Sequence, residues 1–272
     1  MKSYLKILLL ADLIVAAILI SCQKETTSIV SHPSYVKVYL TDHDTPVFDS
    51  VFIDIQKLEV KIENDTTGAE EWITLAINPG VYNILRFRNG LDTLFATGNL
   101  PNANLKKLRL TLGTQNSVMK DNLVFPLKIK DNERQVVVDI ENGDFEFTNQ
   151  GQVLFWIDFD AARSIEVDNS GSDNNNGYEL RAHIKVFCHR NTGRIEGKVL
   201  PLDADPVVMA ISGADTATAI PGNDGEFKIV GLTPNSYTVI IDGNNGYRDT
   251  TITNVVVRSG EDTDLPLITL RQ

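Results

Sequence analysis

The chain has 272 residues, 42% hydrophobic and 22% charged, with a formal net charge of −11 at pH 7. That length suits two domains of ordinary size, and the apolar content is enough for real cores, which excludes a disordered chain. An acidic surface without a basic stripe repels phosphate backbones, so the charge argues against nucleic acid as a partner and fits simple solubility.

Residues 1–21 are expected to be a signal peptide. Lys2 and Lys6 make the start positive, and Ile7–Ile20 is apolar except for Asp12. A carboxylate at a membrane centre costs about 2.5–3.5 kcal/mol. The apolar run is also shorter than the ~20 residues of a permanent span. Both facts favour a segment that is recognised and removed, and its removal makes the exported chain more acidic still. Leu19-Ile20-Ser21-Cys22 resembles the lipobox of bacterial lipoproteins. The resemblance implies that Cys22 carries the lipid and anchors the chain, each buried CH₂ contributing about 0.8 kcal/mol. Gln23-Lys24-Glu25 looks like the Lys-plus-acid tag that sends some Bacteroidetes-type lipoproteins to the outer face of the outer membrane. Residues 22–34 then read as a polar, lipidated tether.

Period-2 alternation dominates residues 35–190, which are expected to form one β-sandwich domain. Val36, Val38 and Leu40 share one face of a first strand. Val51, Ile53 and Ile55 share a face, and Leu58, Val60 and Ile62 continue in the opposite phase. A one-residue shift across Gln56-Lys57 is what a β-bulge does, two short strands being the alternative. Leu108, Leu110 and Leu112 alternate, as do Val136, Val138 and Ile140. Val153, Phe155, Ile157 and Phe159 alternate with Trp156, Asp158 and Asp160. Asn78-Pro79-Gly80, Asn89-Gly90, Asn142-Gly143-Asp144 and Asn149-Gln150-Gly151 mark turns. No stretch carries a sustained helical stripe, so at most one short helical turn is expected.

Val38-Tyr39-Leu40-Thr41-Asp42, Pro46 and Val51-Phe52-Ile53-Asp54-Ile55 resemble the opening of a domain of unknown function common in bacterial lipoproteins, the family numbered 4382. Trp72, Leu75, Gly80-Val81-Tyr82-Asn83-Ile84-Leu85, Asn89-Gly90, Leu100-Pro101 and Leu108-Arg109-Leu110 fit the same pattern over roughly residues 35–165. Ala103 and Leu105 depart from it, and Asp44 and Thr45 lengthen the first turn. The family implies a fold and no activity.

Asn191-Thr192-Gly193 punctuates the chain, and residues 192–272 are expected to form a second sandwich. Gly193–Val199 and Val207–Ser212 read as strands, and Asp224-Gly225 reads as a tight hairpin signal. The run from Asn223 through Gly225-Glu226-Phe227-Lys228-Ile229-Val230-Gly231-Leu232-Thr233-Pro234 to Tyr237-Thr238-Val239 resembles the carboxypeptidase-regulatory-like, transthyretin-like domain. That resemblance implies a seven-stranded Greek-key sandwich acting as a spacer or docking module, with carbohydrate binding in looser relatives. The whole exported body is thus expected to be all-β, two antiparallel β-sandwiches in tandem.

No catalytic set emerges. His32, His43, His183 and His189 lack the spacing that zinc needs. His183 falls on the polar face of its strand. Cys188, the second of two cysteines, falls on an apolar face with Ala182, Ile184 and Val186, which reads as an inert core thiol. Two acidic stretches, Asp42–Asp44 and Asp168–Gly177, offer oxygens to calcium but lack the EF-hand spacing, and the second reads as a hairpin connection. Trp72 and Trp156 would make a sugar platform if exposed, although strand aromatics are more often packed. No catalytic residue, cofactor or metal ligand is therefore assigned. The expected function is a non-enzymatic outer-membrane lipoprotein of the cell envelope, exposed at the surface, that binds a partner protein or glycan. The alternative is a structural spacer or scaffold in a fimbrial or polysaccharide-uptake assembly.

Overall fold

The computed structural model describes residues 34–43, 45, 47–64, 66–101, 103–141, 143–148, 150–167 and 177–272. The signal peptide, Cys22, nearly all of the tether, Asp44, Pro46 and Asp168–Asn176 lie outside the described residues. Among the described residues no helix is long and apolar enough to cross a membrane.

The first domain runs through β1 (Ser34–Thr41), β2 (Ser50–Glu63), β3 (Glu70–Leu75), β4 (Gly80–Asn83), β5 (Thr93–Leu100), β6 (Asn104–Leu112) and β7 (Ser117–Lys120). It continues through β8 (Leu123–Pro126), β9 (Gln135–Asp139), β10 (Glu146–Phe147) and β11 (Val153–Phe159). One helical turn, α1 (Ala161–Ser164), precedes β12 (Ile165–Val167), β13 (Tyr178–Leu180) and β14 (Ile184–Phe187). One sheet has the order β10-β11-β1-β5, with β14 also on β11. The other has the order β8-β7-β2-β6-β9, with β3 and β4 on the opposite edge of β2. The inward residues read from alternation, Val36, Val38, Leu40, Ile53, Leu108, Phe155 and Phe159 among them, fill the space between the layers at 0–1% exposure. Paired main-chain bonds between Ala76 and Thr97, 2.7 and 3.0 Å, join the two sheets at one corner.

β2 is one continuous strand whose register against β6 shifts between Ile55 and Lys57. This is the bulge that the phase change required, and it keeps both apolar sets on the core side. On the outer face, Arg109 stacks over Trp72 at 4.1 Å and donates to Glu59 at 2.7 Å, so that ring face is covered.

The second domain contains β15 (Gly193–Leu200), β16 (Val207–Ser212), β17 (Asp215–Ala219), β18 (Glu226–Leu232), β19 (Asn235–Asp242), β20 (Thr250–Val257), β21 (Asp262–Asp264) and β22 (Ile268–Thr269). β18-β15-β21, with β22 also on β15, faces β17-β16-β19-β20 across a core of its own that includes Ile195, Phe227, Tyr237, Val239 and Ile241. The all-β, two-domain expectation is met.

Two details differ from the sequence reading. Most ladders are antiparallel, but β1 pairs with β11 in parallel, Val36 opposite Val153 and Leu40 opposite Ile157. β21 and β22 also run parallel to β15. Alternation reports which face is buried and carries nothing about strand direction. Asp224-Gly225 is also not a hairpin between paired strands. β17 pairs with β16, and β18 pairs with β15 in the other sheet. The turn carries the chain across the sandwich, with Gly225 at φ +85°. A Gly at positive φ permits reversal, but the partner of the next strand is chosen by whichever edge is vacant.

Candidate functional site

The described residues bring the charged side chains of both domains together at their junction. The second domain meets the first through the outer edge of β18, whose inner edge is taken by β15. Exposed strand edges invite uncontrolled pairing and need covering. Here the cover is made by side chains rather than by another strand. Asn89, in the Asn-Gly turn ahead of β5, donates from Nδ2 to the Glu226 carbonyl at 3.2 Å and accepts from the Lys228 amide at 2.6 Å. Its amide thus satisfies one donor and one acceptor of the edge, as a neighbouring strand would. Lys185 Nζ donates to the Gly231 carbonyl at 2.8 Å. His43 Nε2 lies 3.1 Å from the Val230 carbonyl.

Consecutive carbonyls normally point to opposite edges of a strand. Val230 and Gly231 both serve the first domain because β18 holds one extra residue opposite β15 between Ile229 and Leu232. Gly231 takes φ +69° within that bulge, and the Phe187 ring lies against it. A Cβ there would sit 3.1–3.2 Å from three atoms of that ring, in a backbone region that L residues avoid. Gly231→Ala is expected to destabilise the chain by about 2–4 kcal/mol, combining left-handed strain with overpacking. Urea unfolding would measure this loss, and an unchanged midpoint would refute it.

Behind these bonds lies a small apolar cluster shared by both domains: Trp156, Phe187 and Cys188 from the first and Val230 from the second. Trp156 stacks on Tyr39 at 5.1 Å, lies 4.2 Å from the His189 ring, and donates through Nε1 to Asp92 at 2.6 Å. It is therefore packed and offers no sugar platform. Burial, and then the charge of Arg194, hold His189 below the ordinary imidazole pKa. Cys188 is fully buried, and burial pushes its thiol up, in keeping with an inert core residue.

Beside the junction opens a cavity of about 300 Å³ walled by both domains. The first domain contributes His43, Asp158, Asp160, Arg163 and Lys185, and the second Asp215 and Tyr237. Asp160 caps α1 by accepting from the Arg163 amide at 2.9 Å. Burial, reinforced by the charge of Asp158, raises its carboxyl pKa. Arg163 reaches Asp215 across the opening at 3.8 Å. His183 is exposed, as expected, but it lies just ahead of β14 rather than within a strand. Asp42 is buried and accepts from the Ala161 amide at 3.1 Å, which gives that acid a structural task in the fold.

His43 is the centre of the arrangement. Its main-chain N–H donates to Asp158 Oδ1 at 3.0 Å, and its Nδ1 makes a close contact with Asp158 Oδ2. A histidine–carboxylate pair at a cavity wall has the outline of a general-base dyad. In such a dyad Nε2 must be available to a nucleophile, and here Nε2 meets a main-chain carbonyl. Sequence reasoning assigned His43, Asp158, Asn89 and Lys185 no role, because their partners lie up to 187 positions away. Asn89-Gly90 was legible only as a turn and Gly231 only as part of a motif.

The family of the first domain is decided by its sequence profile. Residues 34–182, more than half of the chain, match the domain of unknown function DUF4382. The chain belongs to this family. The DUF4382 region thus covers both sheets of the first domain as far as β13 and ends just before β14. It carries His43, Asp158, Asn89 and Trp156, so all but the last strand of this side of the junction lies inside it. A search of curated proteins found no match. Among solved structures, the chain is similar to a type II cohesin–X-dockerin complex from Acetivibrio cellulolyticus, at 20% identity over 29% of this chain and 56% of that one, TM-score 0.25. It spans about half the length of that relative. It is also similar to the minor pilin GBS52 of Streptococcus agalactiae, at 10% identity over 87% and 95% of the two chains, TM-score 0.22. The fimbrial anchor protein Mfa2 of Porphyromonas gingivalis gives 12% identity over 87% and 90%, TM-score 0.22. Likenesses this distant carry no argument about function.

Proposed function

We propose that this DUF4382 chain is a non-catalytic lipoprotein of the cell envelope, anchored in the outer membrane through Cys22 and facing the cell surface, that binds a partner protein or glycan in the cleft between its domains. The observation that carries this reading is the cleft itself. Two domains wall one cavity of about 300 Å³, lined by charged groups of both signs. The His43–Asp158 pair on its wall spends Nε2 on the Val230 carbonyl, which suits a binding surface and not proton transfer. Residues 35–190 form one unit of this reading and residues 192–272 the other. The second is read as a carboxypeptidase-regulatory-like, transthyretin-like sandwich, and it has seven strand lines if β21 and β22 are taken as one interrupted edge.

The test uses the full-length lipoprotein in its own cells. A photo-crosslinking residue replacing Thr216, which lines the cleft, is expected to capture one defined partner, and a glycan array would identify a sugar. Arg163→Glu should weaken that capture about tenfold or more, by placing a second acid opposite Asp215. Recovery of nothing from either experiment would sink the binding reading. Cys22→Ala is expected to release the chain into the soluble fraction and abolish palmitate labelling, and retention in membranes would overturn the anchor. A second reading, a spacer or scaffold of an envelope assembly, has its own support. The edge of β18 is hydrogen-bonded to the first domain by three side chains, which ties the two domains together as a spacer would need.

A further inference from the structure

We propose that His43 is a proton-operated latch on the domain junction, closed while its ring carries both protons and weakened when one leaves. The inference concerns the junction alone and stands whatever the cleft binds. Nδ1 faces a carboxylate oxygen of Asp158, and Nε2 faces the carbonyl of Val230 at 3.1 Å. Both neighbours are acceptors, and only imidazolium has two N–H groups to give. A neutral ring can satisfy one of them and must present a lone pair to the other. Loss of the proton therefore costs either the bond inside the first domain or the bond between domains.

The groups around the ring decide where that loss occurs. Burial works against the charge. The Asp158 carboxylate, by its charge and its hydrogen bond, and Asp160, by its charge, work for it, while Lys185 on β14 works against it. The balance raises the pKa of His43 above the ordinary 6.5. Arg163 and His183 share the cavity wall from the first domain, and from the second come Asp215, Tyr237 and the Val230 carbonyl. A group whose folded pKa exceeds its unfolded value stabilises fully below the unfolded value, and that contribution is lost as pH rises through the folded one. The junction is accordingly tight at pH 6.5 and below and loosens on the alkaline side. His189 is shifted the opposite way, chiefly by burial, so the two rings separate on a titration.

The experiment is a pH titration of the full chain from about pH 5 to about pH 9, with histidine ring nitrogens observed by NMR and amide exchange followed along β18. One imidazole, identified by its disappearance in His43→Gln, is expected to keep both protons past pH 6.5. Between pH 6.5 and its titration point, exchange at the β18 amides should exceed the intrinsic base-catalysed increase by up to about tenfold per pH unit, and the excess should level off above that point. His43→Gln should remove that excess. Asp160→Asn keeps both ring bonds and an oxygen to cap α1, and it should move the titration downward. This second variant assigns the resonance even if His43→Gln fails to fold. A His43 that titrates at or below 6.5, or β18 exchange indifferent to its titration, would overturn the latch. So would a titration unmoved by Asp160→Asn.

Discussion

Gly113→Ala is expected to unfold the first domain selectively, with a loss of about 3 kcal/mol or more from overpacking and broken charge-assisted hydrogen bonds. A Cβ at Gly113 would lie 1.9 Å from Asp54 Oδ2 and 2.3 Å from Asp54 Cγ. Asp54 cannot step aside cheaply. It is 4% exposed, and its carboxylate accepts from the Gln115 amide at 3.1 Å and from the Gln56 side chain. Its main chain is fixed as well, because the Gly113 amide donates to the Asp54 carbonyl at 2.7 Å and the Asp54 amide donates to Asn116 Oδ1 at 2.8 Å. Asn116 Nδ2 returns to the Gly113 carbonyl at 2.9 Å. A methyl group here must either push a carboxylate out of its bonds or open the loop that joins β6 to β7 beside the bulge of β2. Asp54→Ala with Gly113→Ala should recover part of the loss, since the double variant removes the collision. Chemical denaturation of the three variants would measure this coupling, and additive losses would contradict it.

Trp156→Ala is expected to cost about 3–5 kcal/mol, the range for removing a buried large aromatic. The indole is 8% exposed and stacks on Tyr39, with Phe187 at 6.3 Å on the same cluster. The loss should fall on the junction as well as on the first domain, because Val230 of the second domain packs into the same cluster. Trp156→Phe keeps the stacking and removes the bond to Asp92, so it should cost about 1 kcal/mol. The chain has two tryptophans, Trp72 and Trp156. The phenylalanine variant therefore leaves Trp72 as sole reporter. Thermal melts followed by far-ultraviolet circular dichroism would rank the variants. An alanine variant as stable as the parent would contradict the shared cluster.

Both predictions concern residues that the sequence pointed to only in part. The phase change at Gln56-Lys57 was legible because a strand with one buried face must keep its apolar residues on that face, so an inserted residue announces itself. The need for Gly at position 113 was not legible. Its φ is ordinary, and the constraint is a carboxylate 59 positions earlier in the chain, folded back onto it. Trp156 showed as the out-of-phase member of a buried strand. What lay opposite it did not show, because β1 is its neighbour in the sheet through a parallel pairing and Phe187 reaches it through β14.

What the sequence by itself determined depends on near neighbours: the long alternating strands such as β1, β2, β6 and β11, their buried faces, the bulge in β2 and the turn at Asn89-Gly90. Period-2 burial is a property of a strand and its two faces, so it survives without knowledge of partners. The tertiary structure alone decided which edges pair, in which direction, and what covers the edge that β15 leaves open. The His43 contacts to Asp158 and Val230 span 115 and 187 positions. Such contacts impose no local periodicity, since a side chain that caps a distant strand edge looks, in its own neighbourhood, like any polar residue in a loop.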